Sequence, residues 1–133
     1  IIFDSRPANE ALARVAVASF CTQLNPTLEE VSDLKTAVSE AVTNCIIHGY
    51  EGEVHKIQVD CWLSGQELTV DVIDHGVGIA DIQKAMEPMF TTDKTGTRSG
   101  MGFSFMEAFM DQVHVESEPG KGTKVVMRKQ IGR

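Results

Sequence analysis

Glu40 and Asn44 stand four positions apart in the stretch "SEAVTN" at 39–44, inside an apolar, helix-forming run. On a helix that spacing puts both side chains on one face, with Cβ atoms about 5–6 Å apart, so a carboxylate and a carboxamide can act on one bound object. A carboxylate can take the proton of an incoming hydroxyl. A carboxamide oxygen is a neutral ligand of the kind Mg2+ accepts while keeping several waters. With a nucleotide beside them, Asn44 would hold the metal and Glu40 would sit near the γ-phosphate to position and deprotonate the acceptor. The plain alternative is a pair of solvated helix residues.

Three glycine clusters complete the candidate set: "DHGVG" at 74–78, "SGMG" at 99–102 and "GKGT" at 120–123. Asp74 follows an apolar strand, where a buried carboxylate needs a donor such as an adenine amino group or a backbone N–H. Gly76 and Gly78 would let the backbone approach a flat ligand. Gly100 and Gly102 precede a helix, whose unpaired N–H groups and dipole favour phosphate. Lys94 and Arg98 could balance phosphate charge from the polar loop 91–99, which reads either as a lid or as a plain connection. Each cluster alone also reads as a turn, Gly120 and Gly122 as a hairpin turn. The chain has no P-loop, no H-E-x-x-H zinc helix and no G-x-S-x-G elbow. His48, His55, His75 and His114 lack metal-ligand spacing.

Helices and strands must position these groups. "NEALARVAVASFCTQL" places Leu12, Val15, Ala16, Ser19, Phe20 and Leu24 at helical spacing, with Asn9 as N-cap, and Glu10 and Arg14 form an i,i+4 pair on that helix. "NPTLEE" starts a second helix with a capping box of Thr27 and Glu30. Its stripe of Val31, Leu34, Val38, Ala41, Val42 and Cys45 runs to near His48, and Glu40 and Asn44 fall away from the centre of that stripe. "KIQVDCWL" and "LTVDVID" alternate about the turn "SGQE", which predicts an antiparallel hairpin. A short helix around "DIQKAM", a helix from Met101 to about Gln112 and a hairpin of "VHVES" and "TKVVMRK" follow. The order predicts an α+β domain with helices layered on one face of a mostly antiparallel sheet.

A chain of 133 residues with 42% hydrophobic side chains has the length of a single domain, 1–133, and can bury a core. No apolar run reaches the roughly 18–20 residues of a bilayer span, so a soluble, cytoplasmic protein without a membrane partner is expected. The net charge of −7 argues against a nucleic-acid partner and favours a basic protein. Cys21, Cys45 and Cys61 lie in apolar segments without C-x-x-C spacing and read as buried free thiols.

In order, "EAVTNCIIHGY", "DHGVGI", "RSGMGF" and "GKGT" resemble the N box and the three glycine boxes of the Bergerat-fold (GHKL) ATPases, the group that contains gyrase and the histidine kinases. The resemblance covers nearly the whole chain. The E-A-V-T-N-x-I-x-H-x-Y form and the short length are most similar to the anti-sigma factor serine kinases of sporulation. That resemblance implies a two-layer α/β sandwich and an ATP- and Mg2+-dependent serine kinase. Such a kinase silences a sigma factor, phosphorylates an anti-anti-sigma factor on serine, and forms a homodimer. It implies Glu40 as general base, Asn44 as Mg2+ ligand, Asp74 as reader of adenine with Gly76, Gly78 and Ile79 behind it, and Thr123 on the adenine side. Lys94, Arg98, Ser99, Gly100, Met101, Gly102 and Phe103 are the implied contacts of the lid and phosphate region. Glu10 and Arg14, on the partner-binding first helix, are candidate sigma contacts. His75 stands where relatives often carry an acidic residue. Competing readings are an ATP-gated binding module without phosphotransfer, the catalytic domain of a histidine kinase, and an interaction protein with no nucleotide.

Overall fold

The computed structural model describes residues 1–82 and 102–132. The expected helix around "DIQKAM" beyond Ile82, the loop 91–99, and Lys94, Arg98, Ser99, Gly100 and Met101 lie outside the described residues. In chain order the elements are β1 (Ile2–Asp4), α1 (Asn9–Cys21) with a 3-10 turn at Thr22–Leu24, α2 (Leu28–Asn44) running into a π-helical turn at Cys45–Gly49, β2 (Lys56–Ser64) and β3 (Glu67–Asp74). They are followed by α3 (Gly102–Phe109), β4 (Gln112–Glu118) and β5 (Gly122–Gln130). The five strands form one antiparallel sheet in the order β1-β2-β3-β5-β4.

α2 begins where local chemistry demands it. Asn25 adopts a left-handed conformation (φ 54°), which breaks the chain. The Thr27 hydroxyl then accepts from the Glu30 N–H at 3.0 Å, and the Glu30 carboxylate accepts from the Thr27 N–H at 2.8 Å. Two otherwise orphaned donors are satisfied reciprocally. Leu34, Ala37, Val38, Ala41 and Val42 form the buried face. The α-helix ends at Asn44 rather than near His48, because the chain widens there into the π-helical turn.

α1 buries a different face from the expected one. Ala13, Val17, Ala18 and Cys21 are buried, whereas Leu12 and Val15 are each 54% exposed. Both faces of this helix are apolar, and the smaller side chains let it approach α2 closely. Asn9 is also not the N-cap: Ala8 occupies that place, and the Asn9 carboxamide donates to the Asp4 carbonyl at 2.9 Å, tying α1 to β1.

The sheet contributes rows of side chains to the core. Val59, Val72, Val125 and Val115 lie in one continuous cross-strand register, and Cys61, Val70, Met127 and Val113 in another. These rows join Leu34, Val38 and Val42 of α2 and Phe103 and Met106 of α3 in one hydrophobic cluster. Each fully buried aliphatic side chain there contributes about 1.5–3 kcal/mol. On the opposite face of β3, Thr69 and Asp71 are nonetheless buried, and the Lys124 ammonium reaches Asp71 at 3.6 Å.

Candidate nucleotide site

The site is assembled where the C-terminal end of α2 meets the end of β3. In the π-helical turn the Tyr50 N–H donates to the Cys45 carbonyl at 2.9 Å, five residues back. The wider turn brings both Cys45 and Gly49 against Asp74. A Cβ on Gly49 would lie 2.8 Å from the Asp74 carboxylate, closer than side-chain atoms normally pack. The Gly49 carbonyl accepts from the Val77 N–H at 2.9 Å, and a Cβ on Gly76 would lie 1.9 Å from that same carbonyl oxygen. Gly78, with φ +76°, lies as closely against the carbonyl of Glu118. The small size of Gly76 and Gly78 is therefore required by backbone packed on backbone, before any flat ligand is considered.

Hydrogen bonds fix the loop after β3 at both ends. The Tyr50 hydroxyl donates to the Lys56 carbonyl and accepts from the His75 N–H at 2.8 Å, bridging the start of β2 to the end of β3. The Ser117 hydroxyl oxygen accepts from the Ile79 N–H at 2.8 Å and lies 2.9 Å from the Thr123 hydroxyl. The Gly120 N–H donates to the Val77 carbonyl at 2.7 Å. Thr123 itself pairs with Asp74 across β3 and β5.

Asp74 is 3% exposed, and burial pushes its carboxyl above the usual range. The Gly76 N–H, donating at 2.9 Å, then the Cys45 thiol, the nearby His75 and the Thr123 backbone all pull it back toward ionisation. The Cys45 thiol is held well above its ordinary pKa, first by burial and then by the Asp74 charge. Burial also raises Tyr50, against the His75 backbone hydrogen bond and with the Asp74 and Cys45 charges. One residue before Cys45, both polar atoms of the Asn44 carboxamide are buried and have no hydrogen-bond partner among the described residues. An unpaired buried amide costs on the order of 1–3 kcal/mol, so this group is suited to a ligand.

Most of the expected residues within the described chain converge. Glu40 lies one helical turn before Asn44 and is partly buried; Asn44 directly precedes the π-helical turn that packs against Asp74 at Gly49; Gly76, Gly78, Ile79 and Thr123 surround the end of β3. Gly102 opens α3, and Phe103 is 5% exposed within the hydrophobic core. Glu10 and Arg14 lie on α1, where the guanidinium Nε and a carboxylate oxygen are 2.9 Å apart. Cys45, Gly49, Tyr50 and Ser117 were not expected as site residues. Only the "HGY" at 48–50, which ends the π-helical turn, hinted at two of them. A cavity of about 420 Å³ is lined by Gly49, Tyr50, His55, His75 and Gly76 among others, but by none of Glu40, Asn44 and Asp74. The ligand chemistry above is carried by the carboxamide and carboxylate, not by that cavity.

A family model described as a histidine kinase-like ATPase domain matches residues 3–129. An anti-sigma F factor of Thermoanaerobacter pseudethanolicus is 57% identical over 130 residues, covering 98% of this chain and 91% of the relative. The anti-sigma F factor of Caldanaerobacter subterraneus subsp. tengcongensis is 54% identical over 131 residues, covering 98% and 92%. That of Clostridium acetobutylicum is 54% identical over 129 residues, covering 97% and 90%. Among solved structures, the histidine kinase domain of a blue-light activated histidine kinase from Erythrobacter litoralis is similar with a TM-score of 0.56 at 20% identity. That match takes in 77% of this chain and 45% of the other, and is a likeness of fold.

Proposed function

Because this chain belongs to the anti-sigma F factors of the histidine kinase-like ATPase family, we propose that it is an ATP- and Mg2+-dependent serine protein kinase. On this reading it binds and inhibits a sigma factor and phosphorylates a serine of an anti-anti-sigma protein, as one domain of residues 1–133 acting as a cytoplasmic homodimer. The observation that carries the nucleotide half is the Asn44 carboxamide, buried without a partner among the described residues and four positions after Glu40.

The residues present fit the metal, since a buried neutral oxygen without a competing partner is what an Mg2+ ligand requires. Bound Mg2+ supplies neutralisation of phosphate charge. Asn44 would hold it, and Asp74, an acceptor of the Gly76 N–H, would take the amino group of adenine. Glu40 accepts the proton of the incoming serine hydroxyl while the serine oxygen forms its bond to the γ-phosphorus and the bond to the ADP oxygen breaks. Partner contacts belong to α1, where Glu10 and Arg14 lie on a helix that also leaves Leu12 and Val15 uncovered.

The test is incubation of the purified protein with Mg-ATP and its antagonist, followed by mass spectrometry for phosphoserine. Glu40→Ala is expected to lower transfer by about 100-fold or more while calorimetric Mg-ATP affinity stays within a few-fold. Asn44→Ala is expected to weaken Mg-ATP binding itself. Transfer retained in Glu40→Ala removes that residue from the base role.

A further inference from the structure

Asp74, Thr123 and Ser117 stand side by side in one row across β3, β5 and β4. On each strand this row lies two residues from that of Val72, Val125 and Val115, which belongs to the core. Side chains two apart on a strand share a face, so three polar groups end an otherwise apolar face, where Gly49 of the π-helical turn meets Asp74. The kinase reading gives tasks to Asp74 and Thr123 but none to Ser117.

We propose that Ser117 is a positioning residue for base selection: it commits the Thr123 proton and leaves that hydroxyl an acceptor only, so that the row takes a nucleobase presenting an amino group rather than a carbonyl. The inference rests on the nucleotide reading above. Its physical basis is that a serine hydroxyl has one hydrogen to give and two lone pairs to receive with. The Gly122 carbonyl, 2.8 Å away, can only accept, so it takes that hydrogen. The Ile79 N–H, also at 2.8 Å, can only donate, so it occupies one lone pair. The Thr123 hydroxyl, at 2.9 Å, is left with the second lone pair and must donate to it. With its own proton so committed, the Thr123 oxygen offers a ligand nothing but lone pairs. An amino group is satisfied there. A carbonyl oxygen meets lone pairs instead and gives up its water without a replacement donor. Without the Ser117 hydroxyl the Thr123 proton is free to turn and can serve that carbonyl.

The experiment compares ATP with ITP, whose base carries a carbonyl in place of the adenine amino group, by calorimetric titration in the presence of Mg2+. In Ser117→Ala the preference for ATP is expected to narrow about three- to tenfold relative to the wild type. Ser117→Thr keeps a hydroxyl at the same place and is expected to restore the preference. Ser117→Cys fills the space with a weakly hydrogen-bonding group; it is expected to narrow the preference in the same direction and serves if Ser117→Ala does not fold. In Thr123→Val no hydroxyl remains to be turned, so adding Ser117→Ala is expected to leave the ratio of affinities where Thr123→Val set it. A purely structural role for Ser117 would weaken both nucleotides alike. An ATP-to-ITP ratio that is unchanged or wider in Ser117→Ala overturns the inference and leaves the nucleotide reading standing, as does a wild type that binds both without preference. A folded wild-type protein that binds neither nucleotide overturns that reading and the selection role with it.

Discussion

Asp71 and Asp74 lie three residues apart on one strand and both are buried, yet they are stabilised differently. Asp74 accepts from the Gly76 N–H at 2.9 Å. Asp71, on the other face of the sheet, has Lys124 at 3.6 Å, Asp60 directly across the strand pair, and one carboxylate oxygen with no hydrogen bond among the described residues. Burial holds the Asp71 carboxyl above its usual range despite Lys124. A carboxyl whose folded pKa exceeds its unfolded one keeps its proton better when folded, so stability falls as pH rises through that window and stays lower above it. Asp71→Asn is therefore expected to raise the melting midpoint at pH 7 by on the order of 3 °C, with the gain shrinking toward pH 4. Calorimetric melts at the two pH values check this; a less stable variant at pH 7 would mean that the lysine pair outweighs the burial. Asp74 is legible in the sequence because a carboxylate ending an apolar strand is chemically conspicuous. The approach of Gly49 to it is not, since a glycine at the end of a helical stripe looks the same whether or not a carboxylate lies beside it.

Among the elements, those with local chemistry are the ones the sequence reveals. The start of α2 is written in Thr27 and Glu30, and the cap is found as expected. Glu30 also receives the Gly132 N–H at 3.2 Å, so the cap anchors the C-terminal segment as well. Thr27→Ala is expected to cost about 1 kcal/mol, read from the urea midpoint. The buried face of α1 is not legible, because the helix is apolar on two sides and only contact with α2 chooses between them. Nor is the π-helical turn, which no residue of "CIIHG" announces, or β1, whose three residues offer too short a pattern. The turn's junction with the loop after β3 is the more sensitive of these features. Gly76→Ala would set a methyl group 1.9 Å from the Gly49 carbonyl oxygen. That variant is expected to lose the Gly49–Val77 hydrogen bond and ATP binding together, seen as a lowered melting midpoint that added nucleotide no longer raises.

For the whole molecule, the two hairpins can be read from alternation, but the pairing of β3 with β5 cannot, because it joins segments far apart in sequence. No helix among the described residues is long and apolar enough to cross a membrane. The outer side of α1, with Leu12 and Val15, is where a partner is expected to bear, with Glu10 and Arg14 on the side shared with Ala13 and Val17. Arg14→Glu is predicted to weaken sigma capture at least about tenfold and, by setting a second carboxylate against the partly buried Glu10, to cost on the order of 1 kcal/mol of stability; pull-down and thermal melting check the two halves separately. The β3–β5 ladder runs from Glu67 and Gln130 to Asp74 and Thr123, so the rung that carries the carboxylate proposed to read the base is the terminal one. Ladders fray from their ends. The amides around Asp74 and Thr123 lie at one end of the ladder, held there by the hydrogen bonds of the loop after β3. On the reading proposed above, a nucleotide at that rung would close the sheet at its end, like a clasp, and turn occupancy of the site into rigidity of the strands behind it.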